Sequence, residues 1–215
     1  STEITEFIQL REEKRGEAQD KIFCRWATNE KTAMEGALGM SYMGKRALVC
    51  MKHVGMNVAA DPFVNSAMTG VNGGLVVVAA DDPSMHSSQN EQDSRFYGKF
   101  AMMPIFEPSS QQEAYEMTRA AFELSEAVKL PVLMRVTTRM AHSRAVVEIT
   151  ENPRKQNEIN RPEDVRTWIL LPAFAKKRYV KLLEQQDDLM KAAVESKYNW
   201  YVKGANPERG VICTG

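Results

Sequence analysis

Apolar residues in the N-terminal part of the chain form short continuous runs, which alternate with longer segments of helical periodicity. Runs of this length are typical of strands that are buried on both faces of a parallel sheet. They predict strands at residues 22–26, 46–51, 74–80, 104–106 and 131–136. Because helical segments separate the strands, the pattern predicts an α/β fold with a doubly wound, mainly parallel sheet and flanking helices.

Capping residues mark where two of the intervening helices begin. Thr28 and Asn29 are both suited to N-cap a helix over residues 31–43. Ser110 precedes Glu113 by three residues, and this capping-box pattern predicts the start of the clearest helix in the sequence.

The composition changes after residue 147. Residues 151–166 are polar and contain two prolines, which is typical of a linker, and residues 176–196 have the spacing of one long helix. The final GVICTG segment looks like a strand that has just begun, and the sequence lacks an initiator methionine. We therefore expect a piece of a longer chain with three parts: a domain at 1–147, a linker with a connecting helix at 148–209, and the start of a following domain at 210–215.

Charge and cysteine usage narrow the functional classes. The chain has 28 basic and 28 acidic residues, so its balance gives no general reason to expect binding to nucleic acid or an anionic membrane. No apolar run approaches the ~20 residues that a membrane helix needs. Cys24, Cys50 and Cys213 form no CxxC pair, and the first two lie in apolar stretches. We expect buried free thiols there, which favours a cytoplasmic protein.

Polar segments follow the predicted strands. They are residues 29–31, a loop at 52–57, a long segment at 81–95, and residues 137–143. Ligands of open α/β sheets bind outside the carboxyl ends of the strands, so these segments predict one shared site. The sequence has no GxGxxG, GxxxxGK[ST] or GxSxG motif, and its three histidines lack the spacing of a structural zinc site.

Two long blocks carry a family resemblance. NEKTAMEGALGMSYMGKRALVCMKHVGMNVAADPF and TGVNGGLVVVAADDPSMHSSQNEQDSR resemble the α subunits of indolepyruvate:ferredoxin oxidoreductases, and the similarity continues to the terminal GVICTG. The resemblance implies a thiamine-diphosphate enzyme that oxidatively decarboxylates arylpyruvates to acyl-CoA and passes electrons to ferredoxin. It also implies a partner β subunit and a homodimer or heterotetramer. The 1–147 domain is then the pyrimidine-binding domain, truncated at its N-terminus.

The resemblance places Glu30 at N1′ of the cofactor's aminopyrimidine. A carboxyl group in an apolar pocket can exchange a proton there near neutral pH, because burial raises its pKa. Without the resemblance, Glu30 is simply a first-turn glutamate that the helix dipole favours. Asn29 and Asn57 are further cofactor-binding candidates. The resemblance also puts the loop at 52–57 near the aminopyrimidine or the substrate carbonyl, which makes His53 the second catalytic candidate, as a donor to an oxygen that gains charge. The alternative is a loop histidine bound by backbone.

The segment after the 74–80 strand supplies the substrate-pocket candidates. It is dense in hydrogen-bonding groups that suit a 2-oxoacid carboxylate or a dimer interface, and the alternative is a solvated loop. The candidates are His86, Ser87, Gln89, Asn90 and Asp93. Arginines can also bind a carboxylate in a bidentate manner. Arg95, Arg135 and Arg139 are therefore possible clamps, although a surface or interface ion pair is the simpler interpretation of each.

Some expected parts of such an enzyme are absent from the sequence. Thiamine enzymes hold the diphosphate through a metal bound by a GD(G/S)…N pattern, and the sequence contains no Gly-Asp dipeptide. We expect the Mg²⁺ site and the iron–sulfur clusters to lie outside these residues, and the Thr-Pro turn of the family is missing before Ser1. Alone, this piece should be inactive. The alternative function is a non-catalytic α/β interaction or assembly module.

Overall fold

A four-stranded parallel sheet forms the centre of the molecule, and it confirms the predicted α/β fold. The computed structural model describes residues 2–16, 21–150, 154–206 and 208–214. In these residues the strand order is β1-β2-β4-β3, with every pairing parallel. The strands are β1 (Ala47–Lys52), β2 (Leu75–Asp81), β3 (Ile105–Phe106) and β4 (Val132–Thr137).

Helices flank this sheet. In chain order they are α1 (Thr2–Arg15), α2 (Glu30–Tyr42), α3 (His53–Val58), α4 (Ala60–Thr69), α5 (Arg95–Phe100), α6 (Gln111–Val128), α7 (Thr138–His142), α8 (Pro172–Glu184) and α9 (Gln186–Glu195), with a 3-10 turn at Val165–Trp168. Both predicted caps are confirmed: the Asn29 side chain accepts from Thr32 N at 2.9 Å, and Ser110 Oγ accepts from Glu113 N at 3.2 Å. Among the described residues, no helix is long and apolar enough to cross a membrane.

Strand β2 explains why the apolar run at 74–80 has no polar face. Its successive side chains point to opposite sides of the sheet. Leu75 and Val77 belong to a core cluster that includes Phe63, whereas Val76 belongs to a second cluster on the other side, with Met117. Both faces are therefore covered by helices, as a buried parallel strand requires.

The predicted strand at 22–26 is wrong. No described strand pairs with this segment, and Phe23 is 72% exposed. The segment instead lies along α1, where Gln9 Nε2 donates to Cys24 O at 3.4 Å and the Cys24 thiol contacts Thr5 O at 3.7 Å. Helix α1 was not predicted. The thiols of Cys24 and Cys50 are free, as expected, but both residues are half-buried.

The segment at 52–57 was predicted as a loop and is helix α3 instead, followed by α4, which ends at Thr69 with Gly70 as its C-cap. The single long helix expected at 176–196 is two helices, α8 and α9, which meet at Gln185. Helix α8 packs against α4, and its Leu182 is buried in the core. The final strand is also absent, since residues 210–214 have no regular structure and Ile212 is 95% exposed.

The polar segment before α8 is docked on the domain. Asn157 Nδ2 donates to Glu126 at 2.8 Å, and Asn160 N donates to Met43 O at 2.9 Å. Trp168 then stacks on Tyr42, with ring centroids 4.4 Å apart. These contacts hold the described part of the segment, 154–168, at the amino end of the sheet, opposite the predicted site.

Candidate functional site

The polar segments meet at the carboxyl edge of the sheet. Helix α3 follows β1 directly, residues 82–94 follow β2, and α7 follows β4. Because α2 leads back into β1, its first residue also lies at this edge. We call residues 82–94 the edge loop. The sequence-based prediction of one shared site rests on these elements, and contacts among them bring several of the predicted residues together.

Glu30 is the first residue of α2 and packs against α3. A Cβ added to Gly55 would lie 2.6 Å from Glu30 Cγ and 3.0 Å from Glu30 Oε1, so any larger residue there would displace the Glu30 side chain. Glu30 is half-buried, and no hydrogen bond or ion pair to its carboxylate occurs among the described residues. The carboxylate is thus held in place by packing while its oxygens stay free for a ligand.

His53 is fully buried at the start of α3. Its Nε2 lies 3.0 Å from Asn90 O, and its Nδ1 lies 3.4 Å from Ala80 O. A neutral imidazole donates through one nitrogen only, so one of these carbonyls receives its N–H. The ring ties α3 to the end of β2 and to the edge loop. Both nitrogens face backbone in this arrangement, and a catalytic role for His53 stays a prediction.

Asp82 fixes the start of the edge loop. Its buried carboxylate accepts from Ser87 N at 2.8 Å, His86 N at 3.1 Å and the Thr138 hydroxyl at 2.7 Å. These hydrogen bonds, led by that of Ser87, hold the pKa of Asp82 well below its usual range, because they stabilise the charged form. Lys52 Nζ adds a bond to Ser87 O at 3.2 Å.

Four predicted substrate-pocket side chains of the edge loop face solvent. His86, Ser87, Gln89 and Asn90 are all exposed. Among the described residues, the side chains of the first three make no hydrogen bond, while Asn90 Oδ1 accepts from Gln92 Nε2 at 3.0 Å. A fixed backbone therefore presents uncommitted donors and acceptors at the site, which suits their predicted contact with a substrate.

Two of the three predicted arginine clamps, Arg95 and Arg135, are already occupied. Arg135 Nε donates to Asp81 Oδ2 at 2.5 Å, and its Nη1 donates to Glu107. Arg95 binds Asp93 at 2.7 Å and Glu107 at 3.2 Å. The pair that Arg135 forms with Asp81 is buried within the chain, whereas a surface or interface ion pair was the simpler expectation. Arg95 holds the pKa of Asp93 below its usual value, and a pocket role for Asp93 stays a prediction.

The remaining candidates lie around this centre. Asn29 uses its side-chain oxygen to cap α2, and Asn57 Oδ1 accepts from the Tyr97 hydroxyl, so each keeps its amide N–H₂ group for other partners. Arg139 is exposed on α7 and makes no ion pair within the described ranges. Among the described residues, no group of three or more histidine, cysteine, aspartate or glutamate side chains is arranged to hold a metal ion.

Sequence reasoning missed four of the residues that build this edge: Gly55, Asp81, Asp82 and Glu107. Two of them carried a signal, because Asp81 and Asp82 follow the most apolar run of the chain, where carboxylates are costly to bury without partners. Gly55 and Glu107 had no such signal, since their importance depends on contacts with elements distant in sequence.

A family model and several similar proteins point to the same family for this chain. The pyruvate flavodoxin/ferredoxin oxidoreductase, thiamine diphosphate-binding family matches residues 1–196. The indolepyruvate oxidoreductase subunit IorA of Archaeoglobus fulgidus is 45% identical over 195 residues, covering 90% of this chain and 31% of that protein. IorA of Thermococcus kodakarensis is 41% identical over 220 residues, covering 100% of this chain and 33% of its own. The chain thus spans about a third of the length of these relatives.

A solved structure supports the fold. The 2-oxoglutarate:ferredoxin oxidoreductase from Magnetococcus marinus superposes with a TM-score of 0.64 at 15% identity, covering 95% of this chain and 42% of that one. At this identity the likeness concerns the fold alone. It agrees with the parallel sheet and flanking helices described above.

Proposed function

Since this chain belongs to the pyruvate flavodoxin/ferredoxin oxidoreductase family of thiamine diphosphate-binding domains, we propose that it forms the pyrimidine side of a thiamine diphosphate site. The complete protein then oxidatively decarboxylates arylpyruvates of the indolepyruvate type to acyl-CoA, with ferredoxin as electron acceptor. The names of the relatives support this substrate class and the role as a subunit. A partner β subunit and an oligomer in the cytoplasm belong to the same proposal.

One observation carries the proposal: the Glu30 carboxylate is wedged against Gly55 and has no partner among the described residues. Glu30 is half-buried and its oxygens are not used by the fold of the described residues, so they remain available to a ligand. Bound thiamine diphosphate supplies a nucleophilic carbon and an electron sink. Glu30 would hold the pyrimidine N1′ and share a proton with it, which is the task of a positioned acid and base.

We place the 2-oxoacid against the exposed side chains of the edge loop. His86, Ser87, Gln89 and Asn90 offer hydrogen-bond donors to its carboxylate, and Asp82 fixes the backbone amides of His86 and Ser87. For His53 the contacts favour a positioning role, because the ring joins Asn90 to the helix that contains Gly55. To act as a donor to substrate, His53 would have to exchange one carbonyl contact for the substrate oxygen.

The other parts of the enzyme belong to the remaining length of the protein. We assign the Mg²⁺ ion, the diphosphate contacts and the iron–sulfur clusters to segments beyond these residues. The contacts with CoA and ferredoxin are assigned there or to the partner subunit. The relatives are about three times as long as this chain, which leaves room for such segments.

Replacing Glu30 tests the proposal. The full-length protein, assembled with its partner subunit, is assayed for indolepyruvate-dependent reduction of a one-electron acceptor dye. Glu30→Gln keeps the shape of the side chain but cannot exchange a proton, so we expect kcat/KM to fall by about 10²–10⁴-fold, the usual contribution of general acid–base catalysis. The matched control is Glu35→Gln on the same helix, where the carboxylate is exposed and lies 3.9 Å from Lys31.

Two results would count against the proposal. Near-normal turnover of Glu30→Gln would remove Glu30 from its role. Failure of the assembled wild-type protein to bind thiamine diphosphate in a calorimetric titration would favour the non-catalytic module instead.

A further inference from the structure

We infer that Arg135, held between Asp81 and Glu107, is a positioning residue that fixes the edge loop for the substrate. This inference rests on the proposed function, because it assigns the edge loop to substrate binding. Among the described residues, no member of this ion-pair network forms a hydrogen bond or ion pair with Glu30.

The network is too buried to be an ordinary surface ion pair. The side-chain exposure is 0% for Asp81, 8% for Arg135 and 14% for Glu107. Burying charges costs several kcal/mol for each ion unless partners and hydrogen bonds satisfy them. Such groups commonly serve to fix one arrangement of the chain, and the arrangement fixed here is that of the edge loop.

Asp81 connects Arg135 to the edge loop. Its Oδ2 accepts from Ser94 N at 2.9 Å as well as from Arg135, and its Oδ1 accepts from the Ser94 hydroxyl. Ser94 is the last residue of the edge loop, and Asp82 holds the other end. Arg135 therefore keeps Asp81 in the orientation that closes the loop.

The same network excludes a direct role for Arg135 in binding the substrate carboxylate. Its guanidinium group already contacts Asp81 and Glu107, and Asp93 lies 3.7 Å from Nε. With Arg95 included, three carboxylates face two guanidinium groups. A fourth carboxylate would meet a cluster that is negative overall, so the proposed contact of the substrate with the exposed loop side chains does not need Arg135.

The test uses the full-length protein with its partner subunit. Arg135→Lys keeps the charge but loses the fork that joins two carboxylates. We expect faster hydrogen exchange in peptides covering residues 82–94 and unchanged exchange in α6. We also expect kcat/KM for indolepyruvate to fall by up to about 10²-fold, the effect of a displacement of about 1 Å, while the dissociation constant for thiamine diphosphate stays within about twofold. The matched control is Arg119→Lys, an exposed arginine 3.2 Å from Glu123.

A double variant separates positioning from simple destabilisation. Asp81→Asn with Arg135→Met removes both charges of this buried pair, so neither is left buried without the other. We expect its thermal midpoint to approach that of the wild type while loop exchange stays fast and kcat/KM stays low. Recovery of kcat/KM in the double variant would overturn the inference, as would unchanged loop exchange in Arg135→Lys. Loop exchange is measured without turnover, so it decides the positioning role even if thiamine-dependent activity is absent.

Discussion

Replacing Gly55 by alanine perturbs the proposed cofactor contact without changing any charge. The new methyl group would lie 2.6 Å from Glu30 Cγ, whereas carbon atoms pack best at about 3.5–4.0 Å. The glutamate side chain therefore has to move by about 1 Å. Met51 Cβ, at 3.0 Å from the same position, limits the movement of the methyl group in the other direction.

The expected loss follows from this displacement. A shift of about 1 Å in a catalytic group can cost about 10²-fold in rate, equivalent to about 2.7 kcal/mol of transition-state stabilisation. Folding should suffer little, because alanine is favoured over glycine within a helix by about 1 kcal/mol. We therefore expect Gly55→Ala to lower kcat/KM for indolepyruvate about 100-fold and to weaken thiamine diphosphate binding, with little change in thermal midpoint.

Gly39→Ala is the matched control. Gly39 lies on α2, the helix that begins with Glu30, and an added Cβ there has no neighbour within 4 Å. This variant should retain wild-type kinetics and gain slightly in stability. The assay is dye reduction by the assembled full-length protein, with cofactor affinity from calorimetry. Wild-type kcat/KM and cofactor affinity in Gly55→Ala would refute the proposed placement of the carboxylate.

Two further predictions concern titration. Burial raises the pKa of the Cys50 thiol to about 12. Iodoacetamide at about pH 8 should therefore alkylate the exposed Cys213 and spare Cys50 until the protein unfolds. Equal labelling of the two cysteines, measured by peptide mass spectrometry, would contradict this prediction. Hydrogen bonds lower the pKa of Asp82, so its stabilisation of the edge loop is complete above about pH 4 and declines below it. Asp82→Asn should therefore speed exchange of loop amides at neutral pH, and the difference from wild type should shrink below about pH 4.

Local signals in the sequence predicted most of the sheet and its best helices. Strand β2 consists of apolar residues up to Ala80, and the Ser110 cap needs only a neighbouring backbone N–H. Such features depend on residues close in sequence, so the pattern alone identifies them. The same holds for the position of Glu30, because Asn29 caps the helix that begins there.

Elements that depend on distant contacts were predicted less well. Helix α3 has the sequence HVGMNV, in which a glycine and two β-branched residues disfavour a helix. It forms because His53 is anchored to Ala80 and Asn90, and because Gly55 packs on Glu30. The apolar segment at 22–26 has the composition of a strand but does not form one. It pairs with no strand among the described residues and packs along α1.

The ion-pair network was beyond sequence reasoning for a similar reason. Arg135 lies within the apolar run PVLMRV, where an arginine is costly unless it is paired. Its partners are 54 and 28 residues away in sequence, so only the strand order β1-β2-β4-β3 brings them together. The sequence predicted a substrate clamp or a surface or interface ion pair, and neither interpretation includes a pair buried within the chain.

Two adjacent aspartates at the end of β2 explain how one strand can fix a whole loop. Successive residues of an extended chain direct their side chains to opposite sides. Asp81 therefore binds Ser94 and Arg135, while Asp82 binds the amides of His86 and Ser87. Asp82 and Asp81 therefore hold the two ends of the edge-loop backbone, and the exposed side chains of the loop take no part in these bonds. Under the proposed function, we expect substrate selection to depend on the identity of those side chains, because a shift of either end of the loop backbone breaks a hydrogen bond to a buried aspartate.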